Sequence, residues 1–108
     1  MYLSVYTVFG RIHATNSFLR WLRGVRDPVM KARISRRIDR LAMGQFGDCK
    51  MIDRNISELR LHFGPGYRVY FTRRGNSIVI LLAGGDKWSQ PRDIVTARNL
   101  HSQLEPEP

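Results

Sequence analysis

A chain of 108 residues is long enough for one two-layer core and too short for two, so residues 1–108 are read as a single domain. Its 43% hydrophobic content excludes a disordered basic tail. Eighteen Lys and Arg against nine acids leave a net charge of +9, and fifteen of those cations are Arg, whose planar fork pairs bidentately with phosphate and carboxylate; the balance points to nucleic acid, the ribosome or an acidic protein chain.

The opening "MYLSVYTVFGR" lacks the basic start and long apolar run of a signal peptide. "YTVFGRI", Tyr6 to Ile12, has strand composition, with Gly10 as a bulge or an end. "TNSFLRWLRGVRD" then places Phe18, Leu19, Trp21, Leu22 and Val25 at helical spacing, with Thr15 or Asn16 as the N-cap. "DPVMKARISRRIDRLAMG" is the clearest helix: Asp27 caps it, Pro28 takes the first helical position and Gly44 follows its end. Met30, Ile34, Ile38 and Leu41 form its apolar stripe. Arg33, Arg37 and Arg40 line the opposite side, with Lys31 and Arg36 beside them. That basic row is either an ordinary solvated face or a docking surface.

After "GQFGD" the period changes from helical to two. "CKMID" is a short strand whose Cys49, the single cysteine, excludes an internal disulfide and fits a reducing compartment. "ISELRLHF" and "YRVYFTR" read as strands, and "SIVILLAGG" is so apolar that both its faces must be covered. The run "IVILLA" is too short to span a membrane, and without a targeting segment the expected compartment is the cytoplasm. A final helix starts near Ser89, with Pro91 in its first turn and Ile94, Ala97, Leu100 and Leu104 as its inner stripe, and "EPEP" is a frayed tail. His13, His62 and His101 are too far apart for zinc-ligand spacing, so no metal and no cofactor is expected. The order of elements predicts an α+β domain, with two N-terminal helices packed on a small, mainly antiparallel sheet and a short C-terminal helix.

The hairpin "SELRLHFGPGYRVYFTRRG" carries the functional question. With a turn at Gly64, Pro65 and Gly66, Leu61 meets Val69 and Leu59 meets Phe71 on the helix side, while His62 meets Arg68, Arg60 meets Tyr70 and Glu58 meets Thr72 on the other. Two arginines on adjacent strands repel unless an anion or Glu58 sits between them. The row is therefore either a salt-bridged sheet face or a phosphate cradle, in which guanidinium groups neutralise a transition state while Tyr70 or His62 moves protons. Lys87, in "GGDKWSQ", adds a third cation, Gly84 and Gly85 would let a backbone approach closely, and Trp88 is either core or a platform for a base.

"FLRWLRGVRD", "KARISRRIDRLAMGQFGD", "ISELRLHFGPGYRVYFTRRG" and "ILLAGGDKWSQPRDI" together resemble the HigB-like addiction-module killer proteins of the RelE/ParE toxin superfamily, over about residues 6–103. The resemblance implies the toxin of a type II toxin–antitoxin pair, held in a hetero-oligomer by a cognate antitoxin of the helix-turn-helix DNA-binding kind. For the ribonuclease branch it implies metal-free cleavage of messenger RNA on the ribosome, the ribose 2′-hydroxyl attacking the adjacent phosphate. Arg68 matches a catalytic arginine of RelE-type toxins, Lys87 falls near a second basic position and Arg60 is a candidate third, with Tyr70 or His62 as proton carriers. Lys31, Arg33, Arg37, Arg40, Lys50, Arg73 and Trp88 are the candidate nucleic-acid-binding residues. Asp93 and Ile94 stand where those toxins place a stacking tyrosine, and Leu59 and Leu61 where they place a pair of lysines. Two alternatives follow: a ParE-like inhibitor of DNA gyrase with no chemistry of its own, and an inactive basic domain that complexes its antitoxin in operon repression.

Overall fold

The computed structural model describes residues 2–106, so the last two residues of "EPEP" lie outside the described residues. Gly10, at φ 46°, folds the first apolar segment back on itself, and what reads as one strand is a hairpin of β1 (Val5–Phe9) and β2 (Ile12–Thr15). The chain continues through α1 (Asn16–Gly24), α2 (Pro28–Ala42), β3 (Cys49–Met51), β4 (Ser57–Arg60), β5 (Tyr67–Arg74), β6 (Ile78–Asp86) and α3 (Gln90–Ser102). The six strands form one mixed sheet in the order β1-β2-β6-β5-β4-β3. β2 pairs parallel with β6 and the other neighbours are antiparallel.

This corrects the expected architecture. Two strands precede the helices, the sheet is six-stranded and mixed rather than small and mainly antiparallel, and helices cover both of its faces. The reason lies in β6. Val79 to Ala83 are buried on both sides of the strand, and a strand apolar on both faces belongs in the middle of a covered sheet. On one face Phe18, Ile34, Ile38 and Leu41 of α1 and α2 pack on Ile12, Leu59, Val69, Phe71 and Leu81. On the other, α3 lays Ala97, Ile94 and Leu100 against Tyr70, Ile80 and Leu82. The C-terminal helix is therefore 13 residues of cover and not a short appendage.

Local chemistry sets the helix ends. Thr15 Oγ1 accepts from the Phe18 N–H at 3.1 Å and donates to the Leu82 carbonyl at 2.7 Å, pinning the start of α1 to β6. Asp27 Oδ1 accepts from the Val29 N–H at 2.8 Å ahead of Pro28, and Gly44, at φ 83°, follows the end of α2. Among the described residues no helix is long and apolar enough to cross a membrane.

Gly84 and Gly85 serve packing rather than a backbone's approach to a ligand. A Cβ on Gly84 would overlap the Trp21 ring, and one on Gly85 would overlap the Asp93 carboxylate and stand 2.8 Å from Ser89 Oγ. Gly85→Ala is therefore expected to push the first turn of α3 off the sheet and lower stability by about 1–3 kcal/mol, read as a drop in the urea midpoint. An unchanged midpoint would show that this contact is soft.

Candidate nucleic-acid interface

The β4–β5 hairpin sets the site. Its loop is longer than expected: the Leu61 N–H donates to the Tyr67 carbonyl at 2.9 Å and the Gly66 N–H to Phe63 at 3.1 Å, with Gly64 and Gly66 both at positive φ. The register moves by two residues from the expected one, so Glu58 faces Tyr70 and Arg60 faces Arg68. A shift of two keeps each side chain on its own face, but it sets the two arginines directly opposite one another.

Glu58 resolves that repulsion. Its side chain is fully buried, and Oε1 accepts from Arg60 Nε at 2.9 Å while Arg68 Nε stands 3.9 Å away. Gln90, from the first turn of α3, donates to Oε2 at 2.6 Å. Burial by itself would raise the Glu58 pKa, but the hydrogen bonds from Gln90 and Arg60 outweigh it and hold the carboxyl below its usual value. A depressed folded-state pKa gives stability that is present above the unfolded value of about 4.3 and is lost as pH falls through the folded value. The midpoint of unfolding is accordingly expected to hold from neutral pH to about pH 5 and to fall below about pH 4, with a shallower fall in Glu58→Gln. An equally steep fall in that variant would assign acid sensitivity to other groups.

Tyr70 does not stand on an open face: α3 covers it completely. Its hydroxyl has no hydrogen-bond partner among the described residues. Burial, with the Glu58 carboxylate beside it, pushes the phenol well above its ordinary pKa, so it stays a neutral, inaccessible group. His62 is placed differently. Its side chain is 71% exposed, and Nε2 lies 2.5 Å from Asp48 Oδ2, an acid in the loop before β3. The hydrogen bond from His62 lowers the Asp48 pKa, and the charges of Arg60 and Arg68 lower it further. Asp48 thus holds the histidine through its carboxylate, and its backbone carbonyl accepts the Arg60 N–H at 2.9 Å. It is the residue that a reading of the sequence misses, because it lies 14 positions from His62 in a loop with no motif.

Arg68 is aimed by its own turn: Nη1 donates to the carbonyls of Gly66 and Tyr67 at 3.0 and 3.2 Å. Lys87 comes to the same glycine. A Cβ on Gly66 would lie 3.4 Å from Lys87 Cδ and 3.5 Å from Arg68 Nη1. Beside it Trp88 is 79% exposed, its backbone N–H donating to the Asp86 carboxylate at 2.8 Å, with Lys87 Nζ 5.0 Å from the ring centroid.

The remaining basic residues divide. Arg33, Arg37 and Arg40, joined by Arg36, line a groove of about 580 Å³ between α2 and the end of β4, whose other wall includes Arg60, His62 and Asp48. Lys31 does not line it. Lys50 is exposed on the edge strand β3, in register with Glu58. Arg73 stacks its guanidinium 4.7 Å from the Phe46 ring centroid, toward the other end of β5. The structure therefore gathers Arg60, Arg68, His62 and Lys87 at one end of the sheet, adds Asp48, and removes Tyr70 from reach of any ligand.

No protein-family model matches the chain, and no solved structure matches it. A protein of Haemophilus influenzae (strain ATCC 51907 / DSM 11121 / KW20 / Rd) that carries the name "Uncharacterized protein" is 44% identical over 94 residues, which covers 87% of this chain and 95% of that protein. At that identity, over nearly the whole of both chains, this chain belongs to the same family as the Haemophilus influenzae protein.

Proposed function

We propose that the chain is an RNA-cleaving toxin of the RelE/ParE kind, acting on messenger RNA at the ribosome and restrained by an antitoxin. The observation that carries this reading is the opposition of Arg60 and Arg68 on adjacent strands beside an exposed, carboxylate-held histidine. With Asp48 bonded to Nε2, His62 turns Nδ1 to the substrate. There it takes the proton of a ribose 2′-hydroxyl, whose oxygen attacks the adjacent phosphorus in line. The P–O5′ bond breaks as the leaving O5′ takes a proton from the Lys87 ammonium, leaving a 2′,3′-cyclic phosphate and a 5′-hydroxyl. Arg60 and Arg68 stabilise the charge that builds on the non-bridging oxygens, Lys87 reaches the leaving oxygen from the Gly66 side, and Trp88 offers a face to a neighbouring base.

Glu58 supports this division of labour. By accepting from Arg60 Nε at 2.9 Å it fixes the guanidinium from beneath, as a preorganised site requires. The test is chemical. Purified protein with translating ribosomes should yield RNA ends bearing a 2′,3′-cyclic phosphate, and a single 2′-deoxyribose at the cleaved position should abolish that product. Cleavage that survives the deoxy substitution would rule out attack by the neighbouring hydroxyl.

A further inference from the structure

Resting on that reading, we infer that the groove between α2 and β4 is a track for single-stranded RNA, holding the phosphates that lead to the cleaved bond. The helix contributes arginines at positions 33, 36, 37 and 40, a spacing that puts them on one face. At a rise of about 1.5 Å per residue they extend over about 10 Å. Among the described residues none of these four forms an ion pair. Among the residues lining the groove Asp48 is the one acid, and it is bonded to His62.

Two of the cations are held by neutral groups. Arg37 Nη2 donates to the Phe46 carbonyl at 2.9 Å. Gly47, at φ +61°, makes room for it, since a Cβ there would lie 3.1 Å from Arg37 Cζ and overlap the guanidinium nitrogen. The Arg33 guanidinium lies 4.0 Å from the centroid of the Phe63 ring. A carbonyl and an aromatic face orient a guanidinium without cancelling its charge. The groove therefore carries positioned and uncompensated positive charge, the form of a surface kept for a polyanion.

An RNA strand suits it better than an acidic protein segment for two reasons. Arg60 and His62 line the groove and also belong to the candidate catalytic cluster, so an anionic backbone lying there runs straight onto the cleavage site. A docked helix, about 10 Å across, would need an apolar row, and the hydrophobic lining consists of Leu61, 1% exposed, and Phe63, which Arg33 covers. One strand, rather than a duplex, fits a groove of about 580 Å³.

The probe is a short 2′-O-methyl RNA oligonucleotide, which cannot be cleaved by its own hydroxyl, titrated by fluorescence anisotropy against the full chain from about 50 to 200 mM salt. For a single strand the slope of log affinity against log salt is about −0.7 per phosphate contacted. The triple variant Arg33→Ala, Arg36→Ala, Arg40→Ala is expected to flatten that slope by about 2 and to weaken binding at least about ten-fold at the lower salt, with its thermal midpoint close to the parent's. A blunt duplex of the same sequence should bind more weakly and respond less to the variant. Unchanged affinity and slope in the triple variant would overturn the track. So would a variant that keeps RNA binding and loses a polyglutamate peptide, which would make the groove a site for an acidic protein. Binding is scored apart from cleavage. A chain that cleaves nothing yet binds the probe through these arginines contradicts the catalytic reading and supports the track. A chain that cleaves while its affinity ignores them does the reverse.

Discussion

Arg68→Ala is expected to lower RNA cleavage by about 10²–10³-fold, the usual consequence of removing one preorganised donor from a developing oxyanion. The side chain is suited to that role because its orientation is set before substrate arrives. Nη1 is bound to two carbonyls of its own turn, Glu58 lies 3.9 Å from Nε, and the side chain keeps 15% of its surface exposed. Arg68→Lys should recover little, since an ammonium cannot hold the turn carbonyls and a phosphate oxygen with the geometry of a planar fork. Single-turnover cleavage, with circular dichroism to confirm the fold, checks both. Parent-like cleavage by Arg68→Ala would remove Arg68 from the reaction and leave Arg60 without its opposed partner. Tyr70→Phe supplies the contrast. Its hydroxyl is buried and without a hydrogen-bond partner among the described residues, so cleavage should stay within about two-fold of the parent's, where loss of a working acid or base would cost about 10²–10⁴.

Glu58→Ala is expected to cost about 3–5 kcal/mol of folding stability, the range for breaking a buried ion pair from one side. Three groups lose their partner together: Arg60 Nε, the Gln90 amide and the nearby Arg68 guanidinium. The facing arginines then repel across the β4–β5 ladder with nothing between them. The loss should appear as a lowered urea midpoint at unchanged slope. It should shrink when an anion such as sulfate is added, because the anion can take the place of the carboxylate between the guanidinium groups. A loss under about 1 kcal/mol, as for an exposed pair, would show that Glu58 is dispensable to the hairpin.

These two residues also show what could be read before folding and what could not. The α2 helix was legible because its signals are local: Asp27, Pro28 and Gly44 sit within one turn of its ends. The burial of β6 on both faces was legible from its apolar run. The parallel pairing of β2 with β6 was not, since it joins Ile12 to Val79 with no local signature at either partner. The hairpin register escaped for a different reason. An alternating pattern repeats every two residues, so a shift of two leaves every side chain on its face, and only the loop geometry chooses between the registers. That shift moved Glu58 from Thr72 to Tyr70. The inner stripe of α3 was visible, but not the face of the sheet it would take, and this buried Tyr70 and brought Gln90 to Glu58. Gly84 and Gly85 carried a true signal for close approach. What approaches is the Trp21 ring on one side and the Asp93 carboxylate on the other.

The most direct test of an RNA-cleaving role is to induce the chain without an antitoxin, map messenger RNA 5′ ends and measure plasmid supercoiling in the same cells. That role predicts new 5′-hydroxyl ends inside translated messages, their loss in Arg68→Ala, and unchanged supercoiling. Intact messages together with collapsed supercoiling would contradict it and make the chain a gyrase inhibitor instead.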